Sequence, residues 1–196
     1  MSEPVPDQEP GRRATLTQEQ VITAALAVAQ REGLDSLSMR RLAVELGVTP
    51  MATYYWVKDK DTLLALVAES VCSTVQVPGP ETGTWCERLA QTHRSYRAAL
   101  RSCPGLAGYL LDNDVPPSGR RVTRETTSLL KEAGFALLEA QRLLQAFEGY
   151  LLGRLAIEAV RSRQQPSERT AAALEAEFEY GLQLLLHGAA AAGATG

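Results

Sequence analysis

Apolar residues recur at helical spacing along most of the chain, whereas alternating strand patterns followed by hairpin turns are hard to find. Thr17 and Gln20 form the sequence of a capping box, and Gly33 supplies a C-terminal stop. Between them runs one apolar stripe: Val21, Ile22, Ala25, Leu26 and Ala29. The pattern predicts an all-α chain whose first helix lies between Thr17 and Gly33.

Capping residues and breaks predict the remaining helices. Ser38 caps a short second helix that ends at Gly47, Pro50 starts a third over residues 50–56, and Asp59 caps a fourth over 60–75. Proline and glycine clusters divide the rest of the chain. The pattern therefore predicts about nine helices, the last five over 83–102, 104–113, 119–133, 137–163 and 168–190.

Composition excludes several classes of protein. The chain has 196 residues, 45% hydrophobic and 22% charged, which is an ordinary globular balance. Its apolar runs fall far short of the ~20 residues that a membrane span needs, and its first residues contain no apolar signal region. We therefore expect a cytoplasmic protein.

The residues that most enzymes and metal sites require are scarce. His93 and His187 are the only histidines, and the three cysteines are widely spaced. A nucleophile elbow, a phosphate-binding Gly-rich loop and a dinucleotide fingerprint are all absent from the sequence. An enzyme would have to use one of the two histidines with a nearby Ser or Asp. We therefore predict no catalytic site, no metal and no cofactor.

Charge is unevenly distributed. The net charge is −3, yet residues 11–60 carry seven Lys or Arg against five Asp or Glu. The second and third helices in this segment have the spacing of a helix-turn-helix, with small Ala43 at the closest approach of the helices and Gly47 in the turn. The spacing alone is common in helical chains, but a mildly basic segment suits a small DNA-reading module.

Two longer sequence segments support the interpretation as a DNA-binding module. Residues 37–50 read Leu-Ser-Met-Arg-Arg-Leu-Ala-Val-Glu-Leu-Gly-Val-Thr-Pro, and 54–64 read Tyr-Tyr-Trp-Val-Lys-Asp-Lys-Asp-Thr-Leu-Leu. Over about residues 15–67 the chain resembles the TetR family of transcriptional regulators. The resemblance implies a DNA-binding domain (15–61, helix-turn-helix at about 38–57) and a ligand-binding and dimerisation domain (62–190). The composition of the two ends predicts a flexible arm (1–14) and a disordered tail (191–196).

The resemblance also implies DNA contacts. Tyr54 and Lys60 are expected on backbone phosphates, and Arg40 on a phosphate or a base edge. The expected base readers contain no Arg, Asn or Gln, so we predict contacts to thymine methyls and a share of shape readout. These base readers are Thr49, Pro50, Met51 and Tyr55.

The sequence departs from the family pattern at two positions. Thr53 replaces the usual Leu, and Trp56 replaces the usual His. The indole N–H of Trp56 can still donate a hydrogen bond to a phosphate, or the ring can pack against the first helix. The sequence is compatible with both roles of Trp56.

The last two long helices carry more than one apolar face, which predicts a two-fold dimer; a thick monomeric core is the alternative. The residues assigned to the interface are Leu143, Tyr150, Ile157, Phe178, Gly181, Leu182 and Leu185. The resemblance further implies a pocket among the fourth to eighth helices. Its candidate residues are Trp85, His93, Tyr96, Tyr109, Phe147 and Glu148.

Two pocket candidates have alternative roles. His93 is either a ligand contact or an ordinary surface or hydrogen-bonded histidine, and Glu148 pairs either with Arg154 or with a cationic ligand. The mixture of apolar and polar candidates suits a medium-sized, largely hydrophobic effector.

The preferred interpretation is a dimeric repressor that binds a palindromic operator and is released by that effector. A small-molecule sequestering protein whose DNA module has drifted is the alternative, motivated by Thr53, Trp56 and the modest basic charge.

Overall fold

The structure is a computed structural model that describes residues 16–164 and 167–193. Within those residues the chain forms α-helices and two short 3-10 turns, Leu34–Ser36 and Pro80–Thr82, with no strand. The helices are α1 (Gln18–Glu32), α2 (Met39–Leu46), α3 (Pro50–Thr53), α4 (Lys60–Ser73), α5 (Trp85–Arg101), α6 (Leu106–Asp112), α7 (Pro117–Glu132), α8 (Leu137–Gln164) and α9 (Glu168–Gly193). The all-α prediction is confirmed. The predicted arm, residues 1–14, lies outside the described part of the chain.

Local capping chemistry sets several helix starts. The Thr17 hydroxyl accepts from the Gln20 backbone N–H while the Gln20 side chain accepts from the Thr17 backbone N–H, so the predicted capping box is present. Ser38 caps α2 and Asp59 caps α4 in the same way, each through an N–H three residues on. These side chains satisfy backbone donors that a helix leaves unpaired at its first turn.

Two predicted boundaries are wrong. The helix predicted over 50–56 ends at Thr53, because the N–H groups of Tyr55 and Trp56 donate to carbonyls three residues back and not four, as an α-helix requires. The predicted tail is helical as far as Gly193, where the Phe135 ring lies against the backbone. Alanine-rich sequence favours helix, and this packing holds the end of α9 in place. Residues 194–196 lie outside the described part.

Helices α1 to α4 form an N-terminal unit around fully buried apolar side chains, which include Val21, Ala25, Leu37, Leu42 and Leu63. Helix α4 leaves this unit and also packs against α5 and α7. Helices α5 to α9 make the larger body, whose most deeply buried large side chains include Phe147, Phe178, Leu129, Leu151 and Leu182. No helix in the described residues is long and apolar enough to cross a membrane.

A buried ion pair joins three helices of the body. Arg97 on α5 is 4% exposed and donates to the Glu158 carboxylate on α8, which is 5% exposed, at 2.9 and 3.1 Å. A third bond, 2.6 Å long, runs from Arg97 to Glu175 on α9. The Arg97 guanidinium also lies 4.2 Å from the centroid of the Phe178 ring.

Candidate DNA interface and ligand cavity

The turn between α2 and α3 has helix-turn-helix geometry. Gly47 adopts φ 65° and ψ 31°, the left-handed conformation that glycine tolerates best. The next N–H, that of Val48, donates to the Ala43 carbonyl at 3.0 Å, and Ala43 itself is buried. The turn therefore delivers Thr49 and Pro50 to the start of α3 as the sequence predicts.

Four charged side chains fix α2 against α1. Arg41 reaches Glu32 at 2.6 Å and Glu45 at 2.8 Å, and Arg31 reaches the same two carboxylates at 3.0 and 2.9 Å. Hydrogen bonds from Arg41 and then Arg31 lower the pKa of Glu32 to about 2. The network occupies two of the basic residues in this segment, so they are committed within the domain.

The residues assigned to DNA all lie at the surface, except that Trp56 is half-buried. Tyr55 is 83% exposed and Met51 is 78% exposed, although neither side chain is charged. The Thr49 side chain makes no capping bond to α3. Arg40 and Lys60 are exposed and, among the described side chains, form no ion pair. These groups can therefore contact DNA without first breaking an internal interaction.

Val44 is a surface residue that the sequence interpretation missed. It is 70% exposed and lies one helical turn after Arg40 on α2. The sequence does contain a signal for Val44. It is an apolar residue on the polar face of a short helix, four residues after an expected DNA contact.

The structure explains the two departures from the family pattern. The Thr53 hydroxyl is fully buried and donates to the Pro50 carbonyl at 2.7 Å, so it leaves no unpaired polar group. Trp56 packs on the core, and its ring meets the edge of Tyr55 with centroids 5.1 Å apart. The half-buried indole is placed to support Tyr55.

A cavity of about 520 Å³ lies among α5, α6, α7 and α8, within the range of roughly 300–1,000 Å³ that is typical of small-molecule sites. Tyr96 and Glu148 were both predicted, and both line the cavity. The remaining lining residues, which the sequence interpretation missed, are Leu110, Asp114, Val115, Arg120, Thr123, Arg124, Leu151 and Leu152.

The other four pocket candidates lie elsewhere. His93 is buried, and its Nδ1 donates to the Leu89 carbonyl at 2.9 Å; its ring packs against Phe147. Burial lowers the pKa of His93. Trp85 packs edge-on against Phe135, and Tyr109 is half-buried on α6 outside the lining. His93 and Phe147 are therefore core residues, which corrects their assignment to the pocket.

Among the described side chains of the cavity wall, Glu148 has one hydrogen-bond partner. The Thr123 hydroxyl donates to Glu148 Oε1 at 3.2 Å, and burial raises the pKa of this carboxyl group. Arg154, the alternative partner considered from the sequence, instead binds Glu177 on α9 at 2.7 Å. The pairing of Glu148 with Arg154 is therefore wrong.

The surface of α8 and α9 revises the predicted interface. Phe178 and Leu182 have no exposed surface in the single chain, so they belong to its own core and not to a surface that a second chain could contact. Tyr150 is half-buried and donates to the Phe178 carbonyl at 2.8 Å, with its ring against Gly181. Leu143 and Leu185 are half-buried, and Ile157 is 44% exposed.

The family model of the tetracyclin repressor-like C-terminal domain matches residues 77–174. The chain belongs to the TetR family. This TetR-family chain is 32% identical over 172 residues to the transcriptional repressor DrrR1 of Streptomyces coeruleorubidus. The match covers 86% of this chain and 62% of the repressor, so the chain spans less than two thirds of that relative.

Solved structures of the family agree with the fold. The TetR-family protein ActR of Streptomyces coelicolor, in complex with actinorhodin, superposes with a TM-score of 0.76 at 27% identity, covering 92% of this chain and 99% of ActR. BioQ with its double-stranded DNA operator superposes with a TM-score of 0.72 at 27% identity, covering 90% of this chain and 99% of BioQ. The likeness therefore extends over both the N-terminal unit and the body.

Proposed function

We propose that this TetR-family chain is a ligand-responsive repressor that binds a palindromic operator as a dimer. A small, largely hydrophobic effector releases it. The observation that carries this proposal is the presence, in one chain, of an exposed helix-turn-helix and a separate cavity in the body. Solved structures similar to this chain support both roles. The BioQ structure contains an operator, and the ActR structure contains actinorhodin.

On the DNA side, we assign phosphate contacts to Arg40, Tyr54 and Lys60. We assign the major-groove surface to Thr49, Pro50, Met51 and Tyr55, whose exposure supports that role. Apolar and hydroxyl groups at these positions favour thymine methyls over guanine edges. The half-buried Trp56 is assigned to holding Tyr55.

For dimerisation we propose the exposed apolar residues of α8 and α9. Ile157 and Val160 lie one turn apart on α8, and Tyr180 and Leu184 lie one turn apart on α9. Their exposed fractions range from 44% to 70%, which is unusual for large apolar side chains on two neighbouring long helices. A two-fold pairing of these helices would cover them and match a palindromic operator.

Two contacts connect the cavity region to the N-terminal unit. The Leu34 N–H donates to the Pro104 carbonyl at 2.8 Å, immediately before α6. Glu69 on α4 accepts from both the N–H and the hydroxyl of Ser118, at 2.9 and 2.6 Å, and so caps the first turn of α7. Because α6 and α7 both contribute to the cavity wall, a ligand that shifts either helix would move these contacts. These contacts therefore couple effector binding in the cavity to the position of the DNA-binding unit.

We place the protein in the cytoplasm, where a repressor reaches its operator. The sequestering alternative requires a helix-turn-helix that has lost its DNA surface. Exposed Tyr55 and Met51 on an intact turn argue for retention of that surface.

Operator binding tests the proposal. Fluorescence anisotropy with the intergenic DNA beside the gene, across a salt series and against random DNA, measures specific and non-specific affinity separately. Tyr55→Ala is expected to weaken specific binding more than non-specific binding. Leu111→Ala, which truncates an exposed apolar side chain on α6, outside the DNA surface and the proposed dimer surface, is the control and should leave both unchanged. Equal weak binding to both DNAs by the unmodified protein would contradict the proposal and favour a sequestering protein.

A further inference from the structure

Glu148 is a half-buried carboxyl group without a counter-charge. Among the described side chains it forms no ion pair, and the Thr123 hydroxyl is the one group that donates a hydrogen bond to it. Arg154, the nearest arginine along α8 in the C-terminal direction, is held by Glu177. A carboxylate removed from water without a cation is costly, and structures usually provide a partner.

The two arginines of the cavity wall do not supply that partner. Arg120 donates from Nη1 to the Val115 carbonyl at 2.6 Å, which commits its guanidinium to the segment before α7. Arg124 is exposed and makes no ion pair with Glu148. Burial raises the pKa of Glu148, and the Thr123 hydrogen bond opposes that shift.

The rest of the wall suits a largely apolar ligand with a positive charge. Leu110, Leu151 and Leu152 supply aliphatic surface, and Tyr96 supplies an aromatic ring of the kind that attracts cations. Asp114 adds a second carboxyl group to the lining. An ammonium group beside Glu148 would provide the missing counter-charge in a partly desolvated site.

We infer that the effector is an amphipathic amine, with an apolar aromatic body in the cavity and one cationic group paired with the Glu148 carboxylate. The inference rests on the proposed function, because it names the chemical class of ligand for the same cavity. The inference adds to that function the charge of the ligand and the residue that selects this charge.

Three fluorescent probes with a shared naphthylamine body test the inference. Naphthyl ethylenediamine is cationic at neutral pH, phenylnaphthylamine is neutral, and anilinonaphthalene sulfonate is anionic. Each is titrated into the full chain and into Glu148→Gln, which keeps the shape of the side chain and removes its charge. The substitution is expected to weaken binding of the cationic probe by at least about tenfold and to change binding of the neutral probe by less than about twofold.

Two further variants separate charge selection from structural damage. Glu148→Asp retains the charge and is expected to retain the preference for the cationic probe, which a merely structural role would not predict. Glu81→Gln makes the same charge change at an exposed side chain outside the cavity lining, and it should leave all three affinities unchanged. Circular dichroism melts establish that each variant is folded.

The outcomes distinguish the inference from the function on which it rests. Failure of all three probes to bind would refute the cavity as an effector site and with it the ligand half of the proposed function. Binding of the neutral probe with no effect of Glu148→Gln on the cationic one would refute the inference alone. Preference for the anionic probe, abolished by Arg124→Gln, would also refute it and indicate an acidic effector.

Discussion

Replacing Arg97 with methionine removes the guanidinium that neutralises Glu158 in the interior of the body. The two side chains are 4% and 5% exposed and are joined by bonds of 2.9 and 3.1 Å. Methionine approximates the length of the arginine stem and can still pack on the Phe178 ring. The substitution therefore tests the charge more than the volume.

The expected loss follows from what remains around Glu158. Breaking a buried ion pair by removing one partner costs about 3–5 kcal/mol, because the other charge stays buried. Arg101 remains, with its Nε 3.6 Å from Glu158 Oε2, and partly offsets the loss. Loss of the contact between Arg97 and Glu175 adds little to the destabilisation, because the Glu175 side chain is 53% exposed. We therefore expect a loss of about 3 kcal/mol, or a fall in Tm of roughly 6–12 °C for a chain of this size.

Urea unfolding at one fixed protein concentration measures this loss, because association with a second chain would make stability depend on concentration. The double variant Arg97→Met with Glu158→Leu removes both charges, and its stability should return to near that of the unmodified chain. Arg94→Met is the control. It breaks a 2.7 Å pair with Glu179 whose side chains are 44% and 33% exposed, and it should cost less than about 1 kcal/mol.

Two results would refute this reasoning. One is an Arg97→Met variant within about 1 kcal/mol of the unmodified chain, as surface pairs are. The other is a double variant no more stable than the single one, which would mean that the lost contacts, and not a stranded carboxylate, account for the effect.

Four further substitutions test the local geometry. Gly47→Ala should cost about 1 kcal/mol in thermal unfolding, because φ is 65° and a Cβ there meets no atom within 4 Å; a neutral effect would contradict the left-handed turn. Burial lowers the pKa of His93 below its ordinary 6.5. Because the unfolded chain then binds a proton that the folded chain does not, the free energy of unfolding falls as pH drops, by up to about 1.4 kcal/mol per pH unit. Tm measured from neutral to mildly acid pH should lose this slope in His93→Gln, and an unchanged slope would count against burial of the neutral ring. Glu69→Gln and Ser118→Ala should each destabilise by about 1–2 kcal/mol and be non-additive in a double-mutant cycle, whereas simple additivity would argue that the two groups do not interact.

Features encoded within a few residues were predictable from the sequence. The caps at Thr17, Ser38 and Asp59 depend on side chains that accept hydrogen bonds from nearby backbone N–H groups, and the turn at Gly47 depends on the absence of a side chain. The all-α class and the helix-turn-helix followed from such signals. The end of α3 was not predictable, because it depends on backbone hydrogen bonds from Tyr55 and Trp56 to carbonyls three residues back, which the residue types there do not indicate.

Features that depend on helix packing were harder to predict. An apolar stripe at helical spacing shows that one face of the helix is buried. It does not show whether that face packs against the same chain or against a second chain. Phe178 and Leu182 proved to be core, while Ile157 is exposed. The cavity likewise combines Thr123 with Glu148, residues 25 positions apart on α7 and α8, and their meeting depends on how those helices pack.

The most direct test of the central claim is the mass and specificity of the complex with DNA. Native mass spectrometry of the chain with the palindrome beside its gene, in the presence of excess random competitor, reports both at once. We expect two chains on each palindrome and loss of that complex when an effector is added. A single chain on DNA, or equal occupancy of the palindrome and the competitor, would contradict it.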